Sequence, residues 1–193
     1  MLRSFTEALG AFLTARLSDM PERPVASFAL PGAVPGQNAL NLFLSAMAED
    51  AELRANEPQF ARAGLGWVST PPPLRLKCSY ILSAWPAAEN PAEAALVQLR
   101  LLGAAYGVFA SAKTLPAVHL PAPMRVPGLT GPVLALSKDD LSQRPEFWAS
   151  AGCLFRPAFS LTATVSLPVN AERYDHLVED VQIDYPLDHG HTQ

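Results

Sequence analysis

The sequence predicts an α/β fold of the α+β kind, with a single mixed twisted sheet flanked by helices. Three observations carry this. Residues 38–45, 74–85 and 154–167 alternate in the period of two that belongs to strands. Residues 91–110 carry one long helical pattern between the last two of these strands. The chain has 193 residues, 49% of them apolar, which supplies the core of one domain of ordinary size.

Each element follows from its residues. Leu2, Phe5, Leu9, Phe12, Leu13 and Leu17 recur at spacings of three and four, so 2–18 reads as a helix closed by Met20-Pro21. Pro24 to Leu30 is a short strand candidate. In 38–45, Leu40, Leu42 and Leu44 point one way, Asn41 and Phe43 the other. Residues 46–73 show no core periodicity and end in Pro71-Pro72-Pro73, so they read as a long loop of the kind that is usually functional. In 74–85, Leu74, Leu76, Cys78, Tyr80, Leu82 and Ala84 oppose Arg75, Lys77, Ser79, Ile81, Ser83 and Trp85. The helix at 91–110 opens with Asn90 as N-cap, Pro91 at its first position and Glu93 in its first turn. Its expected buried stripe is Leu96, Leu99, Leu102 (or Gly103), Tyr106 and Phe109. Val133 to Ser137 is a short extended piece, and 139–150 a short helix with Pro145 in its first turn. In 154–167, Leu161, Ala163, Val165 and Leu167 oppose Ser160, Thr162, Thr164 and Ser166, which predicts a half-exposed strand.

Composition excludes several function classes. The formal net charge is −4, which gives no electrostatic help toward nucleic acid or an acidic membrane. No apolar run reaches the ~18 residues that a membrane span needs. The start, Met1-Leu2-Arg3-Ser4-Phe5, lacks the plan of a signal peptide, so a cytosolic product is expected. Two cysteines, Cys78 and Cys153, make no disulfide framework and read as small buried hydrophobes. Only 17% of residues are charged, against the usual ~25%, as expected of a protein that covers part of its surface with partners. The 19 prolines punctuate segment boundaries.

The chemistry of catalysis is missing from the sequence. Gly64-Leu65-Gly66 is too short for a dinucleotide fingerprint, and no phosphate-binding Gly-Lys-Ser/Thr follows it. No Gly-x-Ser-x-Gly elbow occurs. Neither cysteine has a neighbouring cysteine or histidine, so no zinc site is expected. Asp188-His189-Gly190-His191 reads as a solvated chain end. Trp85 and Trp148 read as core, whereas Trp67, in the long loop, suits either loop packing or contact with a partner. No catalytic residue, metal site or cofactor is therefore assigned.

The last segment stands apart in charge. Residues 170–193 hold six acidic side chains against Arg173 alone, while Val181, Ile183 and Tyr185 alternate with Gln182 and Asp184 as in a strand. The expected organisation is a domain at 1–169 and an acidic tail at 170–193. That tail would either order on a partner by adding to a sheet edge or fold back on its own domain.

The order of segments carries a resemblance. It runs from Leu40-Asn41-Leu42-Phe43-Leu44 through Glu49-Asp50-x-Glu52-Leu53-Arg54 to Pro71-Pro72-Pro73-Leu74-Arg75-Leu76 and Ser79-Tyr80-Ile81-Leu82-Ser83-Ala84-Trp85. It continues through Arg100-Leu101-Leu102-Gly103, Glu146-Phe147-Trp148-Ala149-Ser150 and Leu154-Phe155-Arg156-Pro157-Ala158-Phe159-Ser160-Leu161. Over residues 2–169 this resembles the N-terminal domain of the cap proteins of antifeeding-prophage-type contractile injection systems, which are similar to phage tail terminators. The resemblance implies a structural cap that ends the inner tube and anchors the last sheath layer. The implied partners are the inner-tube protein, the sheath protein and the chain itself as a homohexamer. Assembly would be cytoplasmic, and the product part of a phage-tail-like particle that can be released. The candidate partner contacts are Glu49, Asp50, Glu52, Arg54 and Trp67 in the loop, and Val181, Ile183 and Tyr185 in the tail. Two other readings stay open: an enzymatic or small-ligand-binding α/β domain, and a monomeric assembly adaptor.

Overall fold

The structure, a computed structural model, describes residues 1–32, 36–53, 57–63, 66–125, 131–137, 140–168 and 173–175. The chain forms two compact units. The first is Met1–Ala55 with Pro73–Pro168, the second Asn56–Pro72 with Val169–Gln193.

The first unit is built on a five-stranded sheet. Its strands are β1 (Val25–Ser27), β2 (Ala39–Glu49), β5 (Leu74–Trp85), β6 (Val133–Ser137) and β7 (Ala158–Leu167), in the order β1-β2-β5-β7-β6. β1 runs parallel to β2 and every other neighbour is antiparallel, so the sheet is mixed, as the sequence predicts. β5 sits at the centre because it alone has two long partners, with Leu82 opposite both Leu42 and Phe159. A bulge between Leu44 and Ala46 shifts the register of β2, and the Ser45 hydroxyl there donates to the carbonyl of Ser79 at 3.0 Å.

Alternation sends Leu40, Leu42, Cys78, Tyr80, Leu82, Ala84, Leu161, Ala163 and Val165 to one face, where they meet α1 (Leu2–Arg16) and α2 (Pro91–Ser111) in a continuous core. α1 contributes Phe5, Leu9, Phe12, Leu13 and the following Leu17, the stripe read from the sequence. The Thr6 hydroxyl of α1 pairs with that of Tyr80 on β5 at 2.9 Å. The opposite face carries Phe43, Ile81, Ser83 and Trp85. It is covered by α3 (Pro145–Ser150) and its flanks, with the Phe43 and Phe147 rings 6.0 Å apart. Trp148 is fully buried and its indole N–H donates to the carbonyl of Ser142 at 2.8 Å. Gly152 ends this segment at φ 74°, a left-handed turn that other residues rarely adopt.

Three sequence expectations change. The β7 strand is not half-exposed: Ser160, Thr162 and Ser166 are buried and Thr164 half-buried, because the 3-10 turn at Asp140–Gln143 packs against β7. The α2 helix begins where its cap predicts, with the Asn90 side chain accepting from Ala92 N at 2.9 Å and Glu93 N at 3.4 Å. Its buried face, however, is Leu101, Leu102, Ala105 and Phe109, whereas Leu96, Leu99 and Tyr106 are exposed. By length and composition alone α2 could cross a membrane. Glu93, Gln98 and Arg100 interrupt its apolar run, and its inner face closes the core.

The third change concerns 46–73. β2 continues to Glu49, a 3-10 turn follows at Ala51–Leu53, and two further strands arise, β3 (Gln59–Ala63) and β4 (Gly66–Thr70). In the second unit these pair antiparallel, and β8 (Arg173–Asp175) adds to β4, giving the order β3-β4-β8.

Candidate functional site: apolar surfaces on both faces of the sheet

The described residues gather no group of three metal-ligating side chains. Apart from exposed Arg3, raised by its hydrogen bond to Glu7, the shifted groups lie in the core. Burial pushes the Tyr80 hydroxyl up to about 12, against a smaller opposing effect of its bond to Thr6. Burial likewise pushes the Cys78 thiol up, the reverse of what activates a nucleophile.

The first surface is the outer face of α2. Leu96, Leu99 and Tyr106 are 64%, 59% and 49% exposed, and they share that face with Gly103 and Gly107. The Tyr106 ring stands edge-on to Phe159 at 5.4 Å, which fixes its direction. A cleft of about 380 Å³ opens beside the first half of the helix, lined by Pro21, Glu22, Asn38, Ala87, Ala88, Glu93, Leu96, Val97 and Arg100. The Glu22 side chain is only 7% exposed and one of its oxygens pairs with the Arg100 guanidinium. The Asn38 amide donates to the Glu22 carbonyl at 3.2 Å and accepts from Ala87 N at 2.9 Å, tying the cleft wall to the strand ends. The second carboxylate oxygen of Glu22, Oε2, is buried without a hydrogen-bond partner among the described residues.

The second surface lies on the other side of the sheet, between α3 and β7. Leu154 is 86% and Phe155 56% exposed. The Phe155 ring leans on Trp148 at 6.4 Å. Arg156 lays its guanidinium over the Trp85 ring at 4.1 Å, and its Nε is buried without a partner among the described residues.

The loop candidates are only partly brought together. Glu49 ends β2 opposite Leu76, Asp50 N donates to the carbonyl of Arg75 at 2.8 Å, and exposed Glu52 stands in the next turn. Trp67 is in β4 of the second unit, opposite Arg62 on β3 and Asp175 on β8. Arg54, Val181, Ile183 and Tyr185 lie outside the described residues. The sequence reading missed the outer face of α2 by assigning Leu96, Leu99 and Tyr106 to the core. A helix apolar on every side was the signal that could have found it.

Residues 4–176 match the Pvc16 N-terminal domain. The chain belongs to that family. No curated protein matches it. Two solved structures share the fold of this Pvc16 N-terminal domain. One is the sheath/tube terminator, in its extended state, of PVC, an extracellular contractile injection system. The TM-score is 0.67 at 18% identity, covering 100% of this chain and 65% of that one. The other is the tube-terminating cap of the anti-feeding prophage, with a TM-score of 0.68 at 18% identity, covering 93% of this chain and 59% of that one. The chain thus spans less than two thirds of either relative.

Proposed function

We propose that the chain is a structural cap: a ring of six copies that ends the inner tube of a contractile injection particle and anchors the last sheath layer. The observation that carries this is membership of the Pvc16 N-terminal domain family over 4–176, in a fold shared with two tube terminators. The surfaces support the same reading. Terminating a tube needs complementary faces rather than reactive groups, and the described surface offers apolar patches on both sides of one sheet. In this reading the chain works with inner-tube and sheath proteins, without enzymatic activity. It assembles in the cytoplasm and becomes part of a phage-tail-like particle that can be released. Glu49, Asp50, Glu52, Arg54 and Trp67 face the tube, the sheath or a neighbouring copy, and Val181, Ile183 and Tyr185 add to a sheet edge on one of them.

Electron microscopy of particles made with and without the chain tests this. The expected result is tubes of uncontrolled length with a detached last sheath layer when the chain is missing. Normal, closed particles without it would overturn the reading.

A further inference from the structure

We propose that two copies of the free chain pair through the outer face of α2, antiparallel and about a twofold axis. The inference stands on α2 and its two flanks and does not depend on the capping function.

A helix apolar on every side is normally covered on every side. The core closes one side of α2 with Leu101, Leu102, Ala105 and Phe109. The other side carries Ala92, Leu96, Leu99, Gly103, Tyr106 and Ala110, all of them exposed. These recur at spacings of four, three, four, three and four. An apolar position about every 3.5 residues is the seam along which one helix packs on another. It runs nearly the whole length of a 21-residue helix, about 30 Å. The occupant that fits it is a second helix.

The order of the spacings says which helix. Four, three, four, three, four reads the same from either end. An antiparallel copy of α2 therefore meets this seam position for position. Ala92 lies against the partner's Ala110, Leu96 against the partner's Tyr106 and Leu99 against the partner's Gly103. The twofold axis makes each of these contacts occur twice.

Charge at the two ends of α2 points the same way. Glu89 precedes the helix and Lys113 follows it. Both are exposed, and neither makes an ion pair among the described residues. Antiparallel pairing brings Glu89 to the end where the partner's Lys113 stands, at both ends of the seam. A parallel pair would set carboxylate beside carboxylate and ammonium beside ammonium. Arg100 comes nearest the axis, where the Glu22 carboxylate already paired with it offsets the like charge.

Area sets the strength. An apolar patch of this kind measures a few hundred Å². A stable pair needs about 800 Å² on each partner. The dimer is therefore weak and reversible, and it forms as concentration rises.

Sedimentation equilibrium of the full chain tests this. From about 1 µM to about 1 mM the mass should rise from one chain to two and stop there. Leu96→Glu with Leu99→Glu should stay a single chain throughout. Its circular dichroism should match the parent and its melting temperature lie within a few degrees, because both side chains are exposed. Glu89→Lys and Lys113→Glu should each weaken pairing by about threefold or more. The two changes together should restore it, since the charges then exchange places. A chain that stays single at every concentration would overturn the inference and leave this face to a helix of another protein. So would growth beyond two copies, a dimer that Leu96→Glu with Leu99→Glu leaves intact, or charge reversals that do not rescue one another. Each outcome is read from the free protein, so the capping function, read from particles, stands or falls separately.

Discussion

Tyr80 shows how much one buried hydroxyl decides. Its ring is fully buried in the core, and its hydroxyl meets Thr6, so it holds α1 to the central strand by a polar contact inside an apolar layer. Removing the hydroxyl in Tyr80→Phe should cost about 1 kcal/mol at pH 7, read as a lower denaturant midpoint. Its titration adds a second observable. The folded value of about 12 lies above the ordinary 10, so the fold favours the protonated form. That stability is fully present below pH 10 and is lost as pH rises from 10 through 12, by about 3 kcal/mol in all. The parent should therefore weaken more steeply than Tyr80→Phe across that window. Parallel pH profiles of the two proteins would contradict the assignment.

At the scale of elements, two glycines in helices should respond in opposite directions to the same change. Gly10 faces β1, and a Cβ there would stand 2.9 Å from the Ala26 Cβ and 2.6 Å from the Phe28 ring. Ala26 cannot swing aside, so Gly10→Ala should destabilise by about 1–3 kcal/mol despite better helix propensity. At Gly103 nothing lies within 4 Å, so Gly103→Ala should stabilise by about 1 kcal/mol. Chemical denaturation of both checks the sign. The same contrast explains what the sequence could tell. Leu74–Trp85 was legible to the residue because alternation there runs unbroken for 12 positions. α2 was legible as a helix but not in its orientation. Leu96, Leu99 and Tyr106 recur with helical spacing on one side, Leu101, Ala105 and Phe109 on the other, and periodicity cannot choose between two apolar stripes. β3 was not legible, because Gln59-Phe60-Ala61-Arg62-Ala63 has a single large apolar side chain and its pairing with β4 supplies the rest.

For the whole molecule, the two units make different demands. All five strands of the large sheet and both long helices belong to the first, so its core is complete within Met1–Ala55 and Pro73–Pro168. Replacing 56–72 by a short Gly/Ser linker and ending the chain at 168 should preserve one cooperative thermal transition, measured by circular dichroism. Well-terminated particles should be lost, because Trp67 and the acidic tail go with the second unit. Loss of the transition would mean that the core depends on the removed segments. The candidate contacts were the least legible part of the sequence. Glu49, Asp50 and Glu52 do gather at the end of β2, but which exposed apolar side chains flank them depends on how the sheet is covered, which no local pattern encodes.

The pairing of β5 with β7 has a consequence for how the chain is made. Arg75 and Ser166 sit side by side near the ends of two inner strands yet are 91 residues apart in the chain. During translation, most of the domain must leave the ribosome before its middle can form. Loop-closure entropy of that size slows folding and leaves hydrophobic segments unshielded meanwhile. The segment with most to shield is α2, synthesised long before β7 and apolar on both sides. Nascent chains should therefore draw on chaperones between the emergence of residue 111 and that of residue 167, and the last long strand of the sheet ends that dependence.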